Sequence, residues 1–90
     1  MTIGRFITLE GGEGAGKTTQ SALLAEALAA RGIPVLRTRE PGGSPGAELL
    51  RGMLLGGSTD WSPQAETLLH FAARAEHVAK TIRPAIQAGT

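Results

Sequence analysis

The residues predict an α/β fold: a parallel sheet with flanking helices, one domain over residues 1–90. The prediction rests on two apolar, β-branched runs at residues 6–9 and 33–38, and on the helical pattern between them. Strand, helix, strand in that order favours parallel pairing, because parallel neighbours need a crossover connection.

Phe6-Ile7-Thr8-Leu9 is the first strand, cut off by the glycines that follow Glu10. Residues 17–31 form a helix: Leu24 and Leu28 share a face, Leu23 and Ala27 flank them, and Gly32 stops it. Ile33-Pro34-Val35-Leu36-Arg37-Thr38 is the second strand, with Pro34 near its start where a missing N–H is tolerated. Residues 39–46 are too rich in glycine and proline for regular structure. Residues 47–55 make a short helix ended by Gly56-Gly57. Ser62 and Pro63 are the N-cap and first position of another helix, running to about Arg83, where Pro84 is expected to end or kink it.

Composition excludes several classes. Apolar residues make up 41%, charged residues 19%, and the net charge is +1, too balanced to suggest a nucleic-acid or membrane-surface partner. With no cysteine there is neither a disulfide framework nor a thiolate metal site. The apolar run after Arg5 is too short for a secretory core, and no run is long enough to span a bilayer. A cytoplasmic setting is the expectation.

Chemistry concentrates at Gly11-Gly12-Glu13-Gly14-Ala15-Gly16-Lys17-Thr18, which fits G-x-x-x-x-G-K-[ST] between a predicted strand and a helix. Glycines let backbone N–H groups converge on phosphate oxygens, and the helix start adds unpaired donors and partial positive charge. All eight positions are candidate nucleoside-triphosphate-binding residues. Lys17 is the candidate catalytic cation for the β- and γ-phosphates, and Thr18 the candidate hydroxyl ligand of Mg²⁺. Taken alone, this P-loop means an NTP site and no particular reaction.

The neighbouring segments are more specific. Residues 6–20, then Thr38-Arg39-Glu40-Pro41-Gly42-Gly43-Ser44-Pro45, Arg51, Ala65-Glu66, Arg74-Ala75-Glu76-His77-Val78 and Ile82-Arg83-Pro84-Ala85 resemble the amino-terminal part of bacterial thymidylate kinases. The resemblance runs nearly the whole chain. It implies a P-loop NTPase-like sheet, Mg²⁺, and transfer of the γ-phosphoryl of ATP to dTMP. It implies dTMP contacts from Glu13, Glu40, Pro41, Arg51 and Arg74, and a homodimeric complete enzyme. Where the family has a phenylalanine that stacks on thymine, this sequence has His70, with Phe71 next to it. We expect His70 under the base and Phe71 at the edge of the core.

On the helix after Ser62, Glu66, His70, Arg74, His77 and Thr81 share a polar stripe, while Leu68, Leu69, Ala72, Ala75, Ala79 and Ile82 form an apolar face. Arg74 therefore points away from the core, and His77 reads as a surface histidine. The resemblance places the family's third strand, its Asp-Arg pair and its lid beyond Thr90, with that strand between the two seen here. The chain is accordingly expected to be an amino-terminal portion, inactive alone. Another P-loop nucleoside monophosphate kinase, or a truncated non-catalytic nucleotide-binding piece, stays open.

Overall fold

Glycine decides both ends of the first helix. In the computed structural model, which describes residues 3–90, helix α1 runs Lys17–Ala30. Its N-cap is Gly16, in the left-handed region at φ 88°. Its end is a Schellman motif: Gly32, at φ 76°, donates to the Ala29 carbonyl at 2.9 Å, and Ile33 donates to the Leu28 carbonyl at 3.1 Å. This helix belongs to a compact unit that holds the chain up to Arg37 together with Ala85–Thr90.

The two expected strands do not form among the described residues. Residues 6–9 and 33–38 are assigned neither strand nor helix. Phe6, Ile7, Leu9, Ile33, Val35 and Leu36 are exposed. A strand is stable only as part of a ladder, because its backbone groups need partners. Among the described residues these runs do not pair with each other.

The second unit is Thr38–Pro84. Helix α2 is Pro45–Leu55, two residues longer at its start than the sequence suggested. Ser44 caps it by accepting from the Ala47 N–H at 3.4 Å, and Pro45 sits at the first turn. Helix α3 is Pro63–His77, with Ser62 accepting from the Ala65 N–H at 3.2 Å. Trp61, in the connection, donates its indole N–H to the Met53 carbonyl of α2 at 3.3 Å.

α2 and α3 meet through small residues. Ala47 and Ala73 are fully enclosed, and a Cβ at Gly46 would lie 3.3 Å from the Glu76 carboxylate of α3. Small side chains at the crossing let the two backbones approach, and a larger one would push them apart. The buried stripe of α3 therefore contains Ala73 and His77, not the expected apolar face: Leu68 is 70% exposed.

A proline lies past the end of α3. After His77 the helix widens into a π-helical turn, Val78–Ile82, and Arg83–Gln87 follows as α4. The Arg83 N–H reaches back to the Val78 carbonyl, five residues away. A proline ring clashes with the carbonyl of a regular α-helical turn, and a widened turn is a known way to relieve that clash. Pro84 thus changes the form of the helix without ending it.

Candidate active site

The P-loop lies in the first unit. Gly14 and Gly16 take φ 76° and 88°, values that an L side chain rarely adopts, and the Ala15 N–H closes a turn onto the Gly12 carbonyl at 3.2 Å. No acidic residue occupies the first turn of α1, so nothing there opposes an anion at the helix start. Lys17 folds back and donates its ammonium to the Gly11 carbonyl at 2.7 Å. Glu13 and Thr18 are exposed. The Thr18 carbonyl accepts from Ser21 at 3.0 Å and from Arg37 at 3.3 Å.

A second cluster lies in the other unit. Glu40, Pro41, His70, Phe71 and Arg74 line one open depression of about 230 Å³. The loop that provides Glu40 and Pro41 is held from several directions, and the Glu40–Pro41 peptide is cis. Arg51 of α2 donates to the Pro41 carbonyl at 2.8 Å. The Gly43 N–H donates to Glu48 at 2.8 Å, and the Gly43 carbonyl accepts from Thr81 at 2.6 Å. Gly43 sits at φ 90°, and a Cβ there would run into the His77 imidazole and the Thr38 hydroxyl.

Charge binds the loop to both helices. Arg39 pairs with Glu48, whose carboxyl is held well below the usual carboxylate range, at about 2, by Arg39 first and the Gly43 N–H second. Glu40 is contacted by Arg74 at 2.6 Å and by His77 at 2.9 Å. Burial raises the Glu40 pKa, but the hydrogen bonds from Arg74 and His77 outweigh it, and the net shift is downward. Glu40 is therefore an anion fixed between two donors.

The Thymidylate kinase family model matches residues 9–90. Thymidylate kinase of Rhizorhabdus wittichii is 67% identical over 87 residues, covering 96% of this chain and 42% of that protein. Thymidylate kinase of Gluconobacter oxydans is 62% identical over 96% of this chain and 40% of its own length. Thymidylate kinase of Caulobacter vibrioides is 56% identical over 99% of this chain and 43% of its own length. The chain belongs to the thymidylate kinase family. It spans about 40% of the length of the curated thymidylate kinases it matches.

Against this thymidylate kinase background, two sequence-based expectations need correction. His77 is not at the surface: it is 2% exposed, because the Thr38 hydroxyl, the Glu40 carboxylate and the side-chain-free Gly43 close around it. Phe71 is not at a core edge: it is 63% exposed and lines the depression beside His70. The helix stripe that joins Arg74 to His77 and Thr81 was visible in the sequence. What it lacked was the loop folded against it, since the partners Thr38, Glu40 and Gly43 lie more than thirty residues away.

Proposed function

We propose that this chain is the amino-terminal part of an enzyme that transfers the γ-phosphoryl group of ATP to dTMP, giving dTDP. One observation carries the reading: a chain of the thymidylate kinase family has both a P-loop at residues 11–18 and a depression walled by Glu40, Pro41, His70, Phe71 and Arg74. Such a reaction asks the protein for positioning and charge neutralisation, with no covalent intermediate.

Each residue has a specific task in this reading. Backbone N–H groups of residues 11–18 and of the α1 start hold the donor phosphates. Lys17 leaves the Gly11 carbonyl and follows the transferred phosphoryl. Thr18 would be the protein ligand of the Mg²⁺ that accompanies ATP. The donor set fits, since a hydroxyl oxygen suits this hard cation, which keeps waters and phosphates as its other ligands. Bound there, the ion would supply charge neutralisation on the donor phosphates. Glu13 faces the acceptor sugar, Arg51 and Arg74 contact the acceptor nucleotide, and His70 and Phe71 border its base.

The same reading makes the full-length protein a homodimer of the cytoplasm, with ATP and dTMP as its partners. No helix among the described residues is long and apolar enough to cross a membrane. The test is nucleotide turnover by the full-length protein with ATP and Mg²⁺, offering dTMP, dUMP, AMP, CMP and GMP separately. Fastest phosphorylation of dTMP is expected. Preference for a purine monophosphate would move the chain to another nucleoside monophosphate kinase activity. ATP binding without turnover on any acceptor would leave only a nucleotide-binding protein.

A further inference from the structure

The largest fully enclosed side chain among the described residues is polar: His77, 2% exposed. A buried imidazole is sustained only where both ring nitrogens find partners. Nδ1 lies 2.9 Å from Glu40 Oε2, and Nε2 lies 2.6 Å from Thr38 Oγ1. Glu40 is an anion and can only accept, so Nδ1 carries the proton and donates it. Nε2 pairs with the Thr38 hydroxyl, which can donate or accept. The Gly43 backbone closes over the ring, where no other residue would fit.

The same carboxylate reaches outward. Glu40 Oε1 accepts from Arg74 Nε at 2.8 Å and contacts Arg74 Nη2 at 2.6 Å. Arg74 is 63% exposed and lines the depression. A chain of contacts thus runs from a buried ring, through a half-buried anion, to an exposed cation at the wall of the cavity. We propose that His77 is a positioning residue that fixes Glu40, and through Glu40 the Arg74 guanidinium, at the wall that receives the acceptor nucleotide. The proposal rests on the reading of that depression as the dTMP site. His77 touches no reacting atom. Its part is to spare dTMP the work of ordering Arg74, which would otherwise count against binding.

The experiment uses the full-length protein, with initial rates measured while dTMP and ATP are varied separately. An asparagine amide can stand where Nδ1 stands and keep the donor to Glu40, whereas a glutamine amide reaches toward the Nε2 position and leaves Glu40 without it. H77Q is expected to raise KM for dTMP about tenfold, with KM for ATP unchanged, and H77N to stay within about twofold of the parent. Equal effects of the two substitutions, or a KM for ATP rising in step, would overturn the positioning role in favour of general support. R74A is the reference. If R74A leaves KM for dTMP unchanged, the reading of the depression fails and the proposal falls with it. If R74A raises it and H77Q does not, only the positioning role is lost. Should the variants not fold, nitrogen-15 spectra of the unsubstituted protein decide: His77 Nδ1 must appear protonated, and an unprotonated Nδ1 overturns the assignment.

Discussion

Lys17, exposed at the start of α1, donates its ammonium to the Gly11 carbonyl at 2.7 Å. Exchanging that partner for a phosphate oxygen replaces a neutral acceptor by a charged one, which favours the bound state. Lys17→Ala is expected to lower turnover of the full-length protein by on the order of 10² or more, measured as dTDP formation. His70 and Phe71 call for a different comparison. Both border the depression, and Phe71 is too exposed to support the core. Phe71→Ala is expected to change stability by less than about 0.5 kcal/mol. His70→Ala is expected to weaken dTMP binding by about 1–3 kcal/mol, the usual worth of a base stacked on a side chain. Calorimetric dTMP titrations beside thermal unfolding separate the two, and unchanged affinity in His70→Ala would assign the stacking elsewhere. Gly43 offers a third case. At φ 90°, with the His77 ring and the Thr38 hydroxyl where a methyl would go, Gly43→Ala is expected to destabilise by about 1–3 kcal/mol. Chemical denaturation measures it, and a stability equal to the parent would mean the loop tolerates a side chain there. Residue identity alone was enough to propose the P-loop, because that motif is local. It misplaced His77, because a histidine's burial depends on which distant loop closes over it.

Helices were the most legible elements. Ser62 with Pro63 marked the start of α3, and Gly32 marked the end of α1, because caps and stops are encoded within a few residues. The π-helical turn at Val78–Ile82 was not legible, since Pro84 admits a stop, a kink or a widened turn, and packing chooses among them. α2 and the loop before it are joined by the Arg39–Glu48 pair, and this gives the loop a pH dependence. The Glu48 carboxyl lies at about 2 in the folded chain and at about 4.3 when unfolded. Between those values the unfolded chain binds more protons, so stability rises with pH across the window. The contribution is present above about pH 5 and lost as pH falls through about 2. The melting temperature of the full-length protein is expected to fall over that range, and Glu48→Gln to flatten the fall. An unchanged slope in Glu48→Gln would show that other carboxylates account for it.

At the scale of the molecule, the predicted parallel sheet does not form among the described residues. Its two apolar runs were read correctly as apolar and β-branched, but a ladder needs neighbours that residues 6–9 and 33–38 do not supply to each other. Each unit instead leaves large apolar side chains in contact with water: Phe6, Ile7 and Leu36 in one, Leu49, Leu68 and Phe71 in the other. The enclosed apolar residues among those described are Ala47 and Ala73, which together bury little area. The 90-residue chain by itself is therefore expected to unfold over a broad temperature range, bind an apolar dye, and form no dTDP. A sharp calorimetric transition with turnover would show that these units complete a functional core without further residues.

Trp61 gives that experiment its optics. The chain has one tryptophan and no tyrosine, so its near-ultraviolet emission comes from a single indole. That indole is tied by its N–H to the Met53 carbonyl, in the connection between α2 and α3. Emission from the 90-residue chain therefore reports the Thr38–Pro84 unit and is silent about the P-loop. A red shift on heating marks the parting of α2 from its connection, and the α1 helix, invisible to this signal, has to be followed by circular dichroism. Where the two signals diverge, the halves of the chain are coming apart at different temperatures.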